Sequence, residues 1–280
     1  MPAAFVVVPE WQGSVSARAM SHADGAHAIS GDLPSNATVM VDVPVEAGDA
    51  LETGVHRYSA LRRVGDRVRE AMRGLGSTPI AIGGDCGIAL ASVATAARGD
   101  ADSLAVLWLD AHPDLNSPET SPSGAFNGMV LRAIAGEGAD GLALRDGERV
   151  APSRLVLGGA RALDDGEQAF IDEHGIAMVG VDRFREPAAI VDTILATGAT
   201  RVYVHVDLDV LDPSAIAGLS YPLPFGADPD DLVTLVRTVV AGIPLAGGSI
   251  AGFAPSSPEA ALDDLPTILR LIGALASGAR

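Results

Sequence analysis

Short apolar runs rich in valine, isoleucine and alanine recur along the chain, separated by stretches with helical spacing. The runs cover residues 4–9, 39–45, 79–82, 104–110, 154–157, 177–181, 201–209 and 248–253. Their length and β-branched content are typical of buried strands. Between them, apolar residues three and four apart predict helices over 54–75, 86–97, 127–135, 165–174, 186–196, 228–240 and 258–277.

This alternation of strands and helices predicts an α/β fold. Consecutive parallel strands need right-handed helical crossovers, which cover both faces of the sheet. We therefore expect a three-layer α/β/α fold with a central, mainly parallel sheet of about eight strands. No charge run, repeat or low-complexity linker divides the chain, so a single domain over residues 1–280 is predicted.

Composition narrows the functional classes. The formal net charge of −17 argues against nucleic acid and anionic membranes as partners. All 19 basic residues are arginine, which excludes a Schiff-base lysine and a P-loop lysine. Cys86 is the only cysteine, so no internal disulfide can form. With no signal segment and no apolar run near the roughly 18 residues that span a bilayer, we expect a cytoplasmic protein.

Polar residues gather where the predicted strands end. Five of them can bind metal: Asp110, His112 and Asp114 after one strand, and Asp207 and Asp209 after another. Spacing by two places such side chains on one side of a strand. Glycine-rich segments, 83–86 and 158–161, follow two further strands. Because ligands bind at the carboxyl edge of parallel sheets, and because crowded carboxylates repel without a cation, the pattern predicts a divalent metal site.

The motifs at 83–86 (Gly-Gly-Asp-Cys), 110–114 (Asp-Ala-His-Pro-Asp) and 207–213 (Asp-Leu-Asp-Val-Leu-Asp-Pro) resemble, in this order, those of the ureohydrolase family of arginases and agmatinases. The resemblance covers most of the chain and implies the arginase–deacetylase-like form of the three-layer α/β/α fold. It implies two Mn²⁺ ions per chain, about 3–4 Å apart, that supply a hydroxide to attack a guanidino carbon. It also implies the ligands: Asp110 and Asp207 bridging, Cys86 and Asp114 on one ion, His112 and Asp209 on the other.

The resemblance further implies a small-molecule α-amino-acid substrate. Asn116 and Ser123 match the positions that hold the substrate α-carboxylate, and Asp164 and Glu167 match the acidic pair that holds the α-amino group. Turn chemistry is the alternative for the first pair, and a helix capping box for the second. Tyr221 is expected either to line the pocket or to pack in its loop.

Three positions depart from the arginase pattern. Cys86 replaces a metal-binding histidine, either as a thiolate ligand or as a small buried group beside a weakly held or absent metal. Asn127 replaces a proton-shuttling histidine and cannot titrate, so the substrate hydroxyl, solvent or Asp114 must protonate the leaving amine. Gly252 replaces the glutamate beneath the guanidinium, and an unpaired buried cation would cost several kcal/mol.

A less basic guanidine accounts for these departures, because an N-hydroxyguanidine can bind uncharged. The combination resembles family members of D-cycloserine biosynthesis that hydrolyse Nω-hydroxy-L-arginine to hydroxyurea and L-ornithine. The alternatives are an arginase or another guanidino-acid ureohydrolase, and a non-catalytic homologue. A zinc deacetylase on the related fold is disfavoured because the chain has no His-His pair. A homo-oligomer is possible for such a family member.

The remaining histidines are given lesser roles. His205 is assigned to the side of its strand opposite Asp207, in core or supporting hydrogen bonds. His22 and His27 are placed in an early loop, and His56 and His174 on helices, all four solvated. At 256–259, Ser257 is expected to cap the last helix, with Pro258 at its first position.

Overall fold

Eight parallel strands form one central sheet in the computed structural model, which describes residues 3–279. The strands are β1 (Ala4–Val7), β2 (Thr38–Met40), β3 (Pro79–Ile82), β4 (Leu104–Leu109), β5 (Leu155–Gly158), β6 (Ala177–Val179), β7 (Arg201–Asp207) and β8 (Leu245–Ala251). Their order is β2-β1-β3-β8-β7-β4-β5-β6, and each neighbouring pair is parallel. The predicted eight-stranded parallel sheet is confirmed.

Helices cover both faces of the sheet. They are α1 (Ser21–Ser30), α2 (Tyr58–Met72), α3 (Ile88–Ala97), α4 (Val130–Ile134), α5 (Asp165–His174), α6 (Pro187–Ala196), α7 (Pro229–Gly242) and α8 (Pro258–Ala276). Alternate residues of β4 divide the core: Leu107 and Leu109 pack with α1, α6, α7 and α8, whereas Val106 and Trp108 pack with α2 to α5. The predicted three-layer α/β/α fold is confirmed.

The last helix begins as predicted. Ser257 accepts a hydrogen bond from the backbone N–H of Ala260 at 3.2 Å, and Pro258 occupies the first helical position. Within residues 3–279, no helix is long and apolar enough to cross a membrane.

Helix α1 was not predicted, because its buried face does not look apolar. That face consists of His22, Gly25, Ala26 and Ile29, which have helical spacing but small or polar side chains. The small residues permit close packing: a Cβ at Gly25 would lie 2.2 Å from the carbonyl oxygen of Phe253. The assignment of this segment to a loop is wrong.

Some predicted boundaries were also wrong for local backbone reasons. The second helix begins at Tyr58 rather than 54, because Gly54 and Arg57 have φ of 75° and 57°. The strand predicted over 248–253 runs from Leu245 to Ala251 and ends before Gly252, whose φ is 87°. A positive φ interrupts regular structure.

Candidate metal and substrate site

A cavity of about 350 Å³ opens at the carboxyl edge of the sheet, where β3, β4, β7 and β8 end. Every residue that the sequence analysis assigned to the metal, the substrate or catalysis lines this cavity. The residues come from loops far apart in sequence, and the parallel sheet brings those loops to one edge.

The core of the site is a cluster of buried carboxylates around one imidazole. His112 Nδ1 lies 3.0 Å from Asp209 Oδ2 and 3.5 Å from Asp110 Oδ1. Backbone N–H groups hold the carboxylates in place: that of His112 donates to Asp110 at 2.7 Å, and that of Ala111 donates to Asp209 at 3.0 Å. These bonds orient the two acidic side chains toward the same imidazole.

Cys86 lies directly beside this cluster. Its thiol donates to Asp207 Oδ2 at 2.9 Å and lies 3.9 Å from Asp110 Oδ2. The same oxygen of Asp110 accepts from the indole N–H of Trp108 at 3.1 Å, and Asp207 Oδ1 accepts from the backbone N–H of Asp209 at 2.8 Å. The cysteine therefore occupies a position from which its sulfur can reach a metal shared with the carboxylates.

Asp114 is held in an unusual conformation next to these groups. Its φ is 53°, a left-handed value that non-glycine residues seldom adopt, and its side chain is buried. The chain around it is anchored by its carbonyl oxygen, which accepts from the backbone N–H of Leu131 at 3.0 Å. Its Oδ2 has no hydrogen-bond partner in the described part of the chain, as expected for an oxygen that serves a ligand.

Burial and mutual repulsion make the negative charges of the cluster unfavourable, and a bound cation would offset them. Burial, together with repulsion from Asp209, raises the pKa of Asp207 to about 7, and burial with repulsion from Asp110 raises the pKa of Asp209 to about 6. The pKa of Asp114 is raised well above its usual range by burial and by Asp110. Burial would lower the pKa of His112, but hydrogen bonds to Asp110 and Asp209 and their charges raise it to about 12.

The residues present fit divalent metal ions. Oxygen-rich sets with an imidazole bind hard or borderline cations, and the unpartnered Asp114 oxygen adds a further donor. Burial and repulsion from Asp207 raise the pKa of the Cys86 thiol well above its usual range, so a bound metal would have to displace that proton.

The wall predicted to bind the amino-acid end of a substrate is a hydrogen-bonded network. Asn116 Nδ2 donates to Asp164 Oδ2 at 2.8 Å. Glu167 accepts from the backbone N–H groups of Asp164 at 2.9 Å and Leu115 at 3.0 Å, so it also performs the capping role. Ser123 Oγ accepts from a backbone N–H two residues on, at 3.2 Å, in a local turn. Ser123 therefore takes part in a turn and Glu167 in a helix cap, and both residues also line the cavity.

Gly252 also lines the cavity and has no space for a Cβ while Asp207 keeps its position. A Cβ at this position would lie 2.2 Å from Asp207 Oδ1, and its φ of 87° disfavours any other residue. Nearby, the hydroxyl of Tyr221 lies 3.2 Å from Ser14 Oγ, and its ring meets that of His112 edge-on at 6.3 Å. Asn127 also lines the cavity, and its backbone N–H donates to the carbonyl oxygen of Gly13 at 3.1 Å.

His22 was wrongly assigned to solvent. It is 2% exposed, lines the cavity, and its Nε2 lies 3.1 Å from Ser220 Oγ. Burial, aided by the charge of Arg18, lowers its pKa to about 4. The recurrence of Gly25, Ala26 and Ile29 at helical spacing from it was the signal in the sequence. His27 and His56 are exposed, as predicted, and His174 is partly exposed.

His205 was wrongly assigned to the opposite side of β7. It precedes Asp207 by two residues, so strand alternation places both side chains on one side. The predicted core hydrogen bonding is confirmed: Nδ1 lies 2.7 Å from Ser249 Oγ, and the ring stacks on Trp108 with centroids 3.7 Å apart. Burial lowers the pKa of His205 to about 3.

Comparison with known proteins identifies the family. The sequence profile of the arginase family matches residues 15–262. The chain belongs to the arginase family. This arginase-family chain is 36% identical to the arginase of Bacillus caldovelox over 196 residues, which cover 65% of each chain. It is 31% identical to the N(omega)-hydroxy-L-arginine amidinohydrolase of Streptomyces lavendulae over 215 residues, 75% of this chain and 72% of that protein.

The fold agrees with this membership. The arginase-family chain superposes on Entamoeba histolytica arginase, crystallised with L-ornithine, with a TM-score of 0.83 and 22% identity, covering 98% of this chain and 97% of that one. The matched region covers slightly less than two thirds of the Bacillus caldovelox arginase, at 65% of its length.

Proposed function

We propose that the protein is a binuclear manganese amidinohydrolase that converts Nω-hydroxy-L-arginine to hydroxyurea and L-ornithine, as in the biosynthesis of D-cycloserine-type antibiotics. The observation that carries the substrate choice is Gly252. A glutamate at this position would pair with a guanidinium, but a Cβ there would collide with Asp207 Oδ1 at 2.2 Å. Gly252 therefore contributes backbone to the wall of the cavity and no carboxylate of its own.

The missing glutamate at position 252 favours an uncharged substrate group. A guanidinium enclosed without a counter-ion would lose several kcal/mol of binding free energy. Hydroxylation lowers the basicity of the guanidine, so the hydroxyguanidine can enter in its neutral form without that penalty. Membership in the same family as the Streptomyces lavendulae enzyme, whose name specifies hydroxyarginine, supports the same choice.

The polar residues Asn116, Ser123 and Asp164 of the cavity wall support an α-amino-acid substrate. Asn116 and Ser123 present amide and hydroxyl groups suited to a carboxylate, and Asp164 presents a carboxylate suited to an ammonium group. Agmatine has no α-carboxylate and would gain no binding energy from the first two groups. We expect agmatine to be the poorer substrate for that reason.

In the proposed mechanism, Asp110, Asp207, His112, Asp209, Asp114 and Cys86 hold the metal ions. Two bound divalent ions would supply the Lewis acidity that makes water nucleophilic at neutral pH. Asn127 can hydrogen-bond to the leaving group but cannot donate a proton to it as an acid. Asp114, through the carboxylate oxygen that does not bind the metal, is the group we propose to carry that proton.

One experiment distinguishes the proposed function from two alternatives. The 36% identity to Bacillus caldovelox arginase favours an arginase, and the departures at Cys86 and Asn127 favour a non-catalytic homologue.

The test is release of L-ornithine, measured side by side from Nω-hydroxy-L-arginine and L-arginine with Mn²⁺ present. We expect kcat/KM to be at least tenfold higher for the hydroxylated substrate, with hydroxyurea as the co-product. The Asp209→Asn variant, which lacks one ligand, is the inactive control. Faster turnover of arginine would establish the arginase alternative, and absence of product from the metal-loaded protein would establish the non-catalytic one.

A further inference from the structure

A second group of metal-capable atoms lies beside the predicted carboxylate cluster. Cys86, Asp110 and His205 each present one ligand atom within 4.8 Å of the other two, and all three residues are buried. A separate group formed by Asp110, His112 and Asp209 meets the same condition, so Asp110 is common to both. His205 has no place in the ligand set implied by the family motifs.

The ring of His205 is locked in position from three strands. Trp108 on β4, His205 on β7 and Ser249 on β8 are in register across the sheet. Ser249 Oγ bonds Nδ1 at 2.7 Å, and the indole of Trp108 stacks on the ring with an interplanar angle of 22°. Metal-binding histidines usually have their second ring nitrogen held by such a partner, which fixes the orientation of the first.

The other ring nitrogen of His205 has nothing to bond. Nε2 is fully buried and has no hydrogen-bond partner among residues 3–279. A buried polar atom in this state is unfavourable, so native proteins seldom keep one without a ligand, ion or water. The nitrogen belongs to a residue that the cluster geometry already brings to Cys86 and Asp110.

His205 can replace the imidazole that is missing at the Cys86 position. The family motif has an imidazole at the Cys86 position, whereas here the thiol lies 2.9 Å from Asp207 Oδ2. His205, on β7, supplies an imidazole to the group that contains Cys86. Sulfur, nitrogen and oxygen donors together suit Zn²⁺ better than Mn²⁺, which prefers oxygen-rich sets.

We propose that His205 is a metal ligand and that, with Cys86 and Asp110, it makes one half of the metal centre selective for Zn²⁺. Binding releases the Cys86 proton to solvent and leaves the thiolate on the metal. The other half, with His112 and Asp209, remains an oxygen-rich site for Mn²⁺. This inference rests on the metal centre of the proposed function but assigns it a different ligand and a different pair of ions.

The experiment is titration of the full-length, metal-stripped protein with Zn²⁺, and with Co²⁺ as a spectroscopic probe. In the wild-type protein we expect a sulfur-to-cobalt charge-transfer band in the near ultraviolet, which Cys86→Ser abolishes. His205→Gln should keep that band, alter the visible cobalt bands, and weaken Zn²⁺ binding by on the order of 100-fold. Ser249→Ala, which keeps the imidazole but releases its anchor, should weaken Zn²⁺ binding by about tenfold.

The controls separate the possible failures. His27→Gln changes an exposed histidine on α1 and should bind Zn²⁺ like the wild type. Unchanged Zn²⁺ affinity and cobalt spectra in His205→Gln would overturn the assignment of His205. If that variant does not fold, two other measurements decide. The assignment of His205 is overturned if Ser249→Ala binds Zn²⁺ with unchanged affinity and X-ray absorption of the zinc-loaded wild type shows no imidazole beside the sulfur. A wild-type protein that binds no divalent ion would instead refute the metal centre of the proposed function.

Discussion

Two individual residues, Gly252 and His22, determine features of the cavity wall. At Gly252 the carboxylate of Asp207 leaves no space for a Cβ, so the position of a proposed metal ligand depends on the absence of a side chain at 252. At His22 a buried imidazole stands in the wall without a charged partner. Each of these residues gives a prediction that can be tested on its own.

The Gly252→Ala substitution should disrupt metal binding. Its Cβ must displace Asp207, so we expect retained metal to fall by at least tenfold after dialysis and kcat/KM to fall with it. Gly99→Ala is the matched control, because Gly99 has nearly the same φ, 86°, with no atom within 4 Å of the added Cβ. The control should lose only about 1–2 kcal/mol of unfolding free energy to backbone strain. Equal metal loss in both variants would contradict the steric argument.

His22 should make the unfolding free energy depend on pH. Its folded pKa of about 4 lies below the ordinary value of 6.5, so the unfolded chain binds the proton more readily between these values. The contribution is complete above pH 6.5 and is lost as pH falls toward 4, by roughly 3 kcal/mol. Denaturant unfolding of His22→Gln should therefore show a flatter profile in this window than the wild type. His27→Gln should retain the wild-type profile, since its side chain is exposed.

At the scale of elements, the loop after β7 depends on a single arginine from the loop after β5. The Arg161 guanidinium donates to the carbonyl oxygens of Asp209 at 2.8 Å, Leu223 at 2.9 Å and Pro224 at 3.0 Å. The sequence placed the 158–161 segment at the rim of the site. In the structure its arginine instead holds the loop that carries Tyr221.

Arg161→Met should loosen that loop without unfolding the sheet. We expect faster amide hydrogen exchange over residues 211–225, a higher KM, and a loss of about 1–3 kcal/mol of unfolding free energy from the lost charge-assisted hydrogen bonds. Arg185→Met removes an exposed ion pair with Asp231 and should change none of these quantities measurably. Unchanged exchange over 211–225 in Arg161→Met would show that the loop is held by other contacts.

At the scale of the whole molecule, the sheet supports a cluster of like charges at one edge. Chelation should therefore destabilise the protein. With metal at about 100 times its Kd, each bound ion adds about 2.7 kcal/mol of unfolding free energy, so Tm should fall by roughly 5–10 °C when the ions are removed. Hydrogen exchange should increase at 83–86, 110–114 and 207–210 and remain slow in the strands. A Tm that does not respond to the chelator would contradict a metal centre at this edge.

Most residues of the site could be predicted from the sequence. The three strand ends, at 82, 109 and 207, could be located to within two residues because the apolar runs stop there. Spacing by two correctly grouped Asp110 with His112 and Asp207 with Asp209, although His112 and Asp209 lie just beyond their strands. The same rule, applied correctly, would have put His205 with Asp207. His22 could not be recognised by hydrophobicity, because the helix that buries it uses small residues to approach Phe253 and Gly83.

The sequence by itself determined the parallel α/β fold, the edge of the sheet that carries the chemistry, and the acidic groups at that edge. These follow from periodicities of two and 3.6 residues, which are properties of neighbours along the chain. Only the tertiary structure decided that Gly252 cannot bear a side chain, that His22 faces the cavity, and that Ser249 and Trp108 fix His205. Those outcomes depend on distances between strands and loops far apart in sequence, and such distances exist only once the sheet has formed.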